Sequence, residues 1–119
     1  MDGVDTDKAV ALLKQLAIEE STMSYQDFAA QLGVSKAPII KTVTMFLERL
    51  VIEDVDNSRP VLASVIVQKG KNAIPRKGFF QLLQKLKLFN GDPEGEGAQN
   101  WHLNELSKLK NYYSHKGAQ

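Results

Sequence analysis

The sequence predicts a mainly α domain with one small β-hairpin. Three observations predict it. Apolar residues recur at helical spacing in five stretches. A Leu-Gly-Val-Ser turn joins two of those stretches at Leu32 to Ser35. A β-branched run, Val61 to Val67, follows a polar turn. The expected layout is one domain over residues 1–89, a loop or linker over 90–98, and a C-terminal helix over 99–119. That last helix docks on the domain or on a dimer partner.

The first helix is expected from about Asp7 to Glu20, with Asp5 or Thr6 as its cap and Leu12, Leu13, Leu16 and Ala17 on one face. Ser24 opens the second helix, and Ser24-Tyr25-Gln26-Asp27 has the form of a capping box with Asp in place of Glu. Phe28, Ala29 and Leu32 form its inner face. Gly33 then supplies the permissive backbone of the turn. Ser35 caps a third helix, with Pro38 in its first turn, where a missing N–H does no harm. Ile39, Val43, Phe46, Leu47 and Leu50 make its buried stripe, and it gives out near Val51.

Ile52 to Val55 and Val61 to Val67 read as the two arms of a hairpin around Asp56-Asn57-Ser58-Arg59-Pro60. A basic loop follows from Lys69 to Gly78. Phe79, Leu82, Leu83, Leu86 and Phe89 mark a fourth helix. Asn90 to Ala98 is rich in glycine and carries Pro93. A last helix, about Trp101 to Ser114, shows Leu103, Leu106, Leu109 and Tyr113 on one side.

Composition removes several functions. The 119 residues include no cysteine, so disulfides, thiol catalysis and thiolate zinc sites are excluded. This fits a reducing, cytoplasmic setting. Residues 1–7 carry three aspartates and no apolar run, unlike a signal peptide. No stretch approaches the ~18 apolar residues of a membrane span. His102 and His115 have no ligand partner at i, i+4, so no metal or other cofactor is expected. Asp92, Glu94 and Glu96 alternate through a glycine-rich loop without the ligand set of a calcium site. No triad or acid–base pair is recognisable, and the expectation is a non-enzymatic binding protein.

Charge is uneven although the formal net charge is only +1. Residues 57–91 hold seven cations and no carboxylate: Arg59, Lys69, Lys71, Arg76, Lys77, Lys85 and Lys87. Residues 1–56 hold ten acidic and five basic side chains. A basic middle between acidic flanks is an electrostatic footprint for an anionic partner. Phe79 and Phe80 either stack on bases or begin the fourth helix, at least half buried. Trp101 is expected to anchor the last helix.

Helix, tight turn, helix, hairpin is the order of a winged helix. Leu32-Gly33-Val34-Ser35-Lys36-Ala37-Pro38-Ile39 resembles the turn and recognition-helix start of the gluconate-repressor (GntR) family of bacterial regulators. The resemblance covers residues 24–52. It implies major-groove DNA binding by the third helix with the wing on the backbone. Ser35 and Lys36 would then touch phosphate or a base edge, and Lys41, Thr44 and Arg49 would face outward. The chain departs from the family at Ile40, where an arginine is usual, and isoleucine cannot make a bidentate guanine contact. A weaker similarity links Ser24 to Ala29, and the placing of Arg59-Pro60-Val61, to the helix-turn-helix of DNA alkyltransferases, without the cysteine their chemistry needs.

The expected binding set is Ser35, Lys36, Lys41, Thr44, Arg59, Lys69, Lys71, Arg76 and Lys77. The partner is duplex DNA, as for a small transcription regulator. The alternative is an acidic protein surface, as for a small inhibitor or adaptor on the same scaffold. A homodimer through the C-terminal helix is the expected assembly.

Overall fold

A computed structural model describes residues 4–34, 37–70 and 73–117, with side chains up to Ser114. The chain is mainly helical. Its elements are α1 (Thr6–Glu19), β1 (Met23–Ser24), α2 (Tyr25–Gln31), α3 (Ile39–Asp56), a 3₁₀ turn (Leu62–Val65), β2 (Ile66–Val67), α4 (Lys77–Lys85) and α5 (Glu96–Gly117).

The local signals act as expected over the first half. The Asp5 carboxylate accepts the Lys8 amide at 3.2 Å and starts α1. The Ser24 hydroxyl accepts the Asp27 amide at 3.1 Å and starts α2. Each satisfies an amide that has no partner within its helix. Gly33 follows α2 at φ +71°, so the Val34 amide turns back to the Ala29 carbonyl at 3.0 Å. Ser35 lies outside the described residues. Pro38 precedes α3 rather than sitting in its first turn, and its carbonyl accepts both the amide and the hydroxyl of Thr42.

The expected hairpin is not formed. Residues 52–55 continue α3 to Asp56, and the two short strands pair in parallel from distant segments, Met23 with Ile66 and Ser24 with Val67. The reason lies in burial. Every residue from Val61 to Val67 is buried, and the 3₁₀ turn packs against α1, α3 and α5 at once. A short, continuously apolar run fits a strand or any other buried segment equally well. Here it is the central peg around which the helices close.

Ahead of its short strand the peg has no sheet partner and needs acceptors for its amides. Two buried carboxylates supply them. Asp54, 3% exposed, accepts the Leu62 amide at 3.0 Å. Glu105, 6% exposed, accepts the Val61 amide at 2.7 Å. His102 is 2.8 Å from the Ser64 carbonyl through Nε2. The helices on either side thus present polar atoms where the peg needs them.

The last helix docks within the chain. Its buried line is Ala98, His102, Glu105, Leu106, Leu109 and Tyr113, covering α1 and the 3₁₀ turn. Leu103, expected on this line, points outward and is 64% exposed. The line runs instead through His102 and Glu105, whose polar atoms are used on the peg. α4 spans Lys77–Lys85, shorter than its apolar pattern, and Phe89 folds back from the following loop. Phe79 and Phe80 are both buried, as the helical reading required. Phe80 meets Phe79, Phe89 and Trp101 in one aromatic cluster, with centroids 5.1 to 6.0 Å apart. Trp101 anchors this cluster to the end of α4 by donating its indole N–H to the Leu88 carbonyl at 3.2 Å.

Among the described residues no helix is long and apolar enough to cross a membrane.

Candidate functional site

The start of α3 faces the loop between β2 and α4. The two enclose a shallow cleft of about 300 Å³ lined by Tyr25, Gln26, Ile40, Gln68, Lys69 and Arg76. None of these lining residues is acidic. The loop is closed by the Gln68 amide on the Ile74 carbonyl at 3.0 Å. That closure returns the chain to Arg76 at the foot of α4.

Arg76 is the best-placed cation of this face. Its backbone amide donates to the Tyr25 hydroxyl at 3.0 Å, and its guanidinium donates to the Thr44 hydroxyl at 3.1 Å. The guanidinium carbon lies 5.8 Å from the centroid of the Tyr25 ring. One residue therefore ties α2, α3 and α4 together while its side chain stays exposed. Burial holds the Tyr25 phenol above its ordinary value of 10.0; the Arg76 amide and charge act against that, and the nearby Glu48 charge adds to it.

The helix ends around this cleft are also suited to anions. Among the described residues, neither Pro38 before α3 nor Arg76 before α4 supplies a side-chain cap. Free amides and the positive end of the helix dipole favour a negative group at such a terminus. Lys77, the first residue of α4, and Lys41, in the first turn of α3, are both exposed.

The structure separates the expected binding residues into groups. Lys69 and Arg76 line the cleft, Thr44 is half-buried as the acceptor for Arg76, and Lys41 and Lys77 are exposed and follow the lining residues Ile40 and Arg76 in sequence. Ser35, Lys36 and Lys71 lie outside the described residues. Arg59 does not join this face. It is committed to Asp54 at 2.9 Å and lies 3.6 Å from Glu53, and the Asp54 bond raises its affinity for its proton. Arg59 instead borders two other clefts, one with Lys14, Tyr112 and Tyr113, the other with Trp101 and Lys108. In the first of these, burial and the Asp54 charge push the Tyr113 phenol up to about 12.

Ile40 is half-buried and packs against the core, so it forms the apolar floor of the cationic cleft. Tyr25, Gln26 and Gln68 join the site without having been singled out for it. The Ser24-Tyr25 start of α2 was visible as a helix cap and as part of the weaker helix-turn-helix similarity, and the approach of residues 24 and 67 comes from the parallel strand pair. The outer face of α3 changes character along its length. Beyond Lys41 come Met45 and Ile52, 54% and 43% exposed, then the exposed acids Glu53 and Asp56. Among the described residues no three His, Asp or Glu side chains gather as a metal would require. No family model matches this chain, and no curated protein and no solved structure shows significant similarity to it.

Proposed function

We propose that this chain is a non-catalytic nucleic-acid-binding protein, a small regulator that meets duplex DNA through the α2–turn–α3 unit and the basic loop. The observation that carries the reading is that Lys69 and Arg76 line a cleft, beside the starts of α3 and α4, that has no carboxylate among its lining residues. Lys41 and Lys77 extend the positive face on either side. Such a face suits phosphate contacts, which give affinity and orientation but little sequence information. Ile40 on the cleft floor fits that picture, because it adds apolar surface rather than base-edge hydrogen bonds. The resemblance to gluconate-repressor regulators supports the reading over the helix-turn-helix. The absent hairpin takes away the wing, so the β2–α4 loop is the second contact in its place.

Titration of a labelled duplex at low and rising salt tests this. Binding should weaken steeply with salt, and Lys69→Ala and Arg76→Ala should each reduce the log–log salt slope by about one. Absence of binding at roughly tens of micromolar, within the range of ordinary non-specific association, would remove the proposal.

A second reading has its own observation. Exposed Met45 and Ile52 share one face of α3 with Lys41, a composition suited to a protein partner with an acidic rim. Complex formation that survives Lys69→Ala and Arg76→Ala but fails on Met45→Ser with Ile52→Ser would favour it.

A further inference from the structure

Behind Arg76 lies a narrower cavity of about 120 Å³, distinct from the open cleft. Its walls are Leu47 and Val51 of α3, Ala63 of the 3₁₀ turn and Phe79 of α4. Its other lining side chains are polar: Arg76 is exposed and Glu48 and Thr44 are half-buried, so these mark its mouth, with the buried Tyr25 beside them. The cation and the carboxylate at this mouth are close neighbours: Arg76 is bonded to Thr44, and Glu48 stands one helical turn beyond Thr44 on the same face. The Tyr25 oxygen accepts the Arg76 amide and keeps its own proton to donate. At Gly78, on the rim, an added Cβ would meet nothing within 4 Å, so the entrance is not crowded.

We propose that this slot binds a free apolar α-amino acid of leucine or valine size, and that its occupation draws Arg76 away from the nucleic-acid face. The side chain enters the slot, the carboxylate meets Arg76 and Tyr25, and the ammonium meets Glu48. Size and charge select this ligand. Apolar cavities of roughly 150 Å³ accept benzene, so this smaller one suits a branched aliphatic group of three or four carbons. A simple carboxylate would leave Glu48 facing a like charge, and a simple amine would leave Arg76 in the same position. Only a molecule carrying both charges next to an apolar group satisfies the whole mouth.

The binding half stands on the cavity alone; the regulatory half rests on the nucleic-acid reading above. Calorimetric titration of the full chain with L-leucine, 4-methylpentanoate and 3-methylbutylamine tests the first. Leucine should bind saturably, and each analogue, lacking one charge, should bind at least about tenfold more weakly. Glu48→Gln should weaken leucine binding by about the same factor with unchanged thermal unfolding, and Arg76→Gln should do so at a temperature where circular dichroism shows it folded, since it also loses the Thr44 bond. No heat and no amide shifts at Tyr25 or Ala63 at roughly 10 mM leucine, beyond the millimolar range of weak ligands, would overturn the site. So would equal affinity for all three compounds.

The duplex titration is then repeated in saturating leucine. The salt slope should fall by about one, matching Arg76→Gln. Leucine binding with an unchanged slope would overturn the regulatory half. A duplex that fails to bind even without leucine would instead remove the proposed function, with the calorimetric result still deciding the slot.

Discussion

Replacing Asp54 by alanine and by asparagine tests whether the peg is held by a buried carboxylate. Asp54 is 3% exposed and accepts two donors on separate oxygens, the Leu62 amide at 3.0 Å and Arg59 Nε at 2.9 Å. Asparagine has one acceptor oxygen, so its NH₂ group must face one of those donors. If that donor is the Leu62 amide, a buried N–H is left unpaired at a cost of about 1–3 kcal/mol. The Arg59 side chain is 33% exposed and keeps Glu53 within 3.6 Å. Its loss of Asp54 therefore adds little, about 0–1 kcal/mol for a solvent-accessible pair. Asparagine can turn its oxygen to the Leu62 amide and its NH₂ group to the part-exposed Arg59, so it should cost no more than about 1 kcal/mol, whereas Asp54→Ala removes both acceptors and should cost about 1–4 kcal/mol. Urea unfolding followed by circular dichroism measures both. With m near the ~1–3 kcal/mol/M typical of small domains, the midpoint of Asp54→Ala should fall by roughly 0.5–2 M at unchanged m, and that of Asp54→Asn by less. A shift corresponding to less than about 0.5 kcal/mol for Asp54→Ala would show that the Leu62 amide has another acceptor, and the account of the peg would fail.

Two further outcomes follow from the fold. Gly33→Ala should cost about 1 kcal/mol, because φ +71° is disfavoured for a side-chain-bearing residue while no atom lies within 4 Å of the added Cβ; Gly33→Asn should cost less, and equal stability of glycine and alanine variants in urea would contradict the left-handed turn. Burial depresses the affinity of His102 for a second proton below its ordinary 6.5, partly offset by its bond to the Ser64 carbonyl. The unfolded chain therefore takes up that proton first as pH falls. Stability is full above 6.5 and declines below it by up to about 1.4 kcal/mol per pH unit until the native value is reached. Urea midpoints at pH 7 and about pH 5 should draw closer together in His102→Gln, and an unaltered pH dependence would refute the assignment.

Much of the first half of the fold was legible because its signals are local. Asp5, Ser24 and Gly33 mark helix boundaries through bonds made within four or five residues. The Val43, Phe46 and Leu47 stripe needs only a helical period to be found. The segment around Arg59 was not legible for the opposite reason. In sequence Asp54 looks like a surface charge on a hairpin arm, and only the arrival of Leu62 from eight residues on makes it a buried acceptor. Glu105 reaches Val61 across forty-four residues. Without these bonds, residues 52–67 resemble two strands and a turn. The same limit applies to the candidate site. The cations of the loop were visible as a charge cluster, but the assignment of Arg59 to salt bridges and the entry of Tyr25 depend on contacts between distant segments. Arg76 reaches Tyr25 across fifty-one residues.

The packing of α5 on α1 has a consequence for the order in which the chain matures. The apolar face of the first helix, Ala9, Leu13, Leu16 and Ala17, is finally shielded by residues around Leu106 to Tyr113. During synthesis the earliest helix must wait, partly uncovered, until nearly all the described chain has left the ribosome. Cooperative closure is then a late event that joins the first and last described helices, and a chain halted before Leu106 should be a client for chaperones rather than a folded fragment.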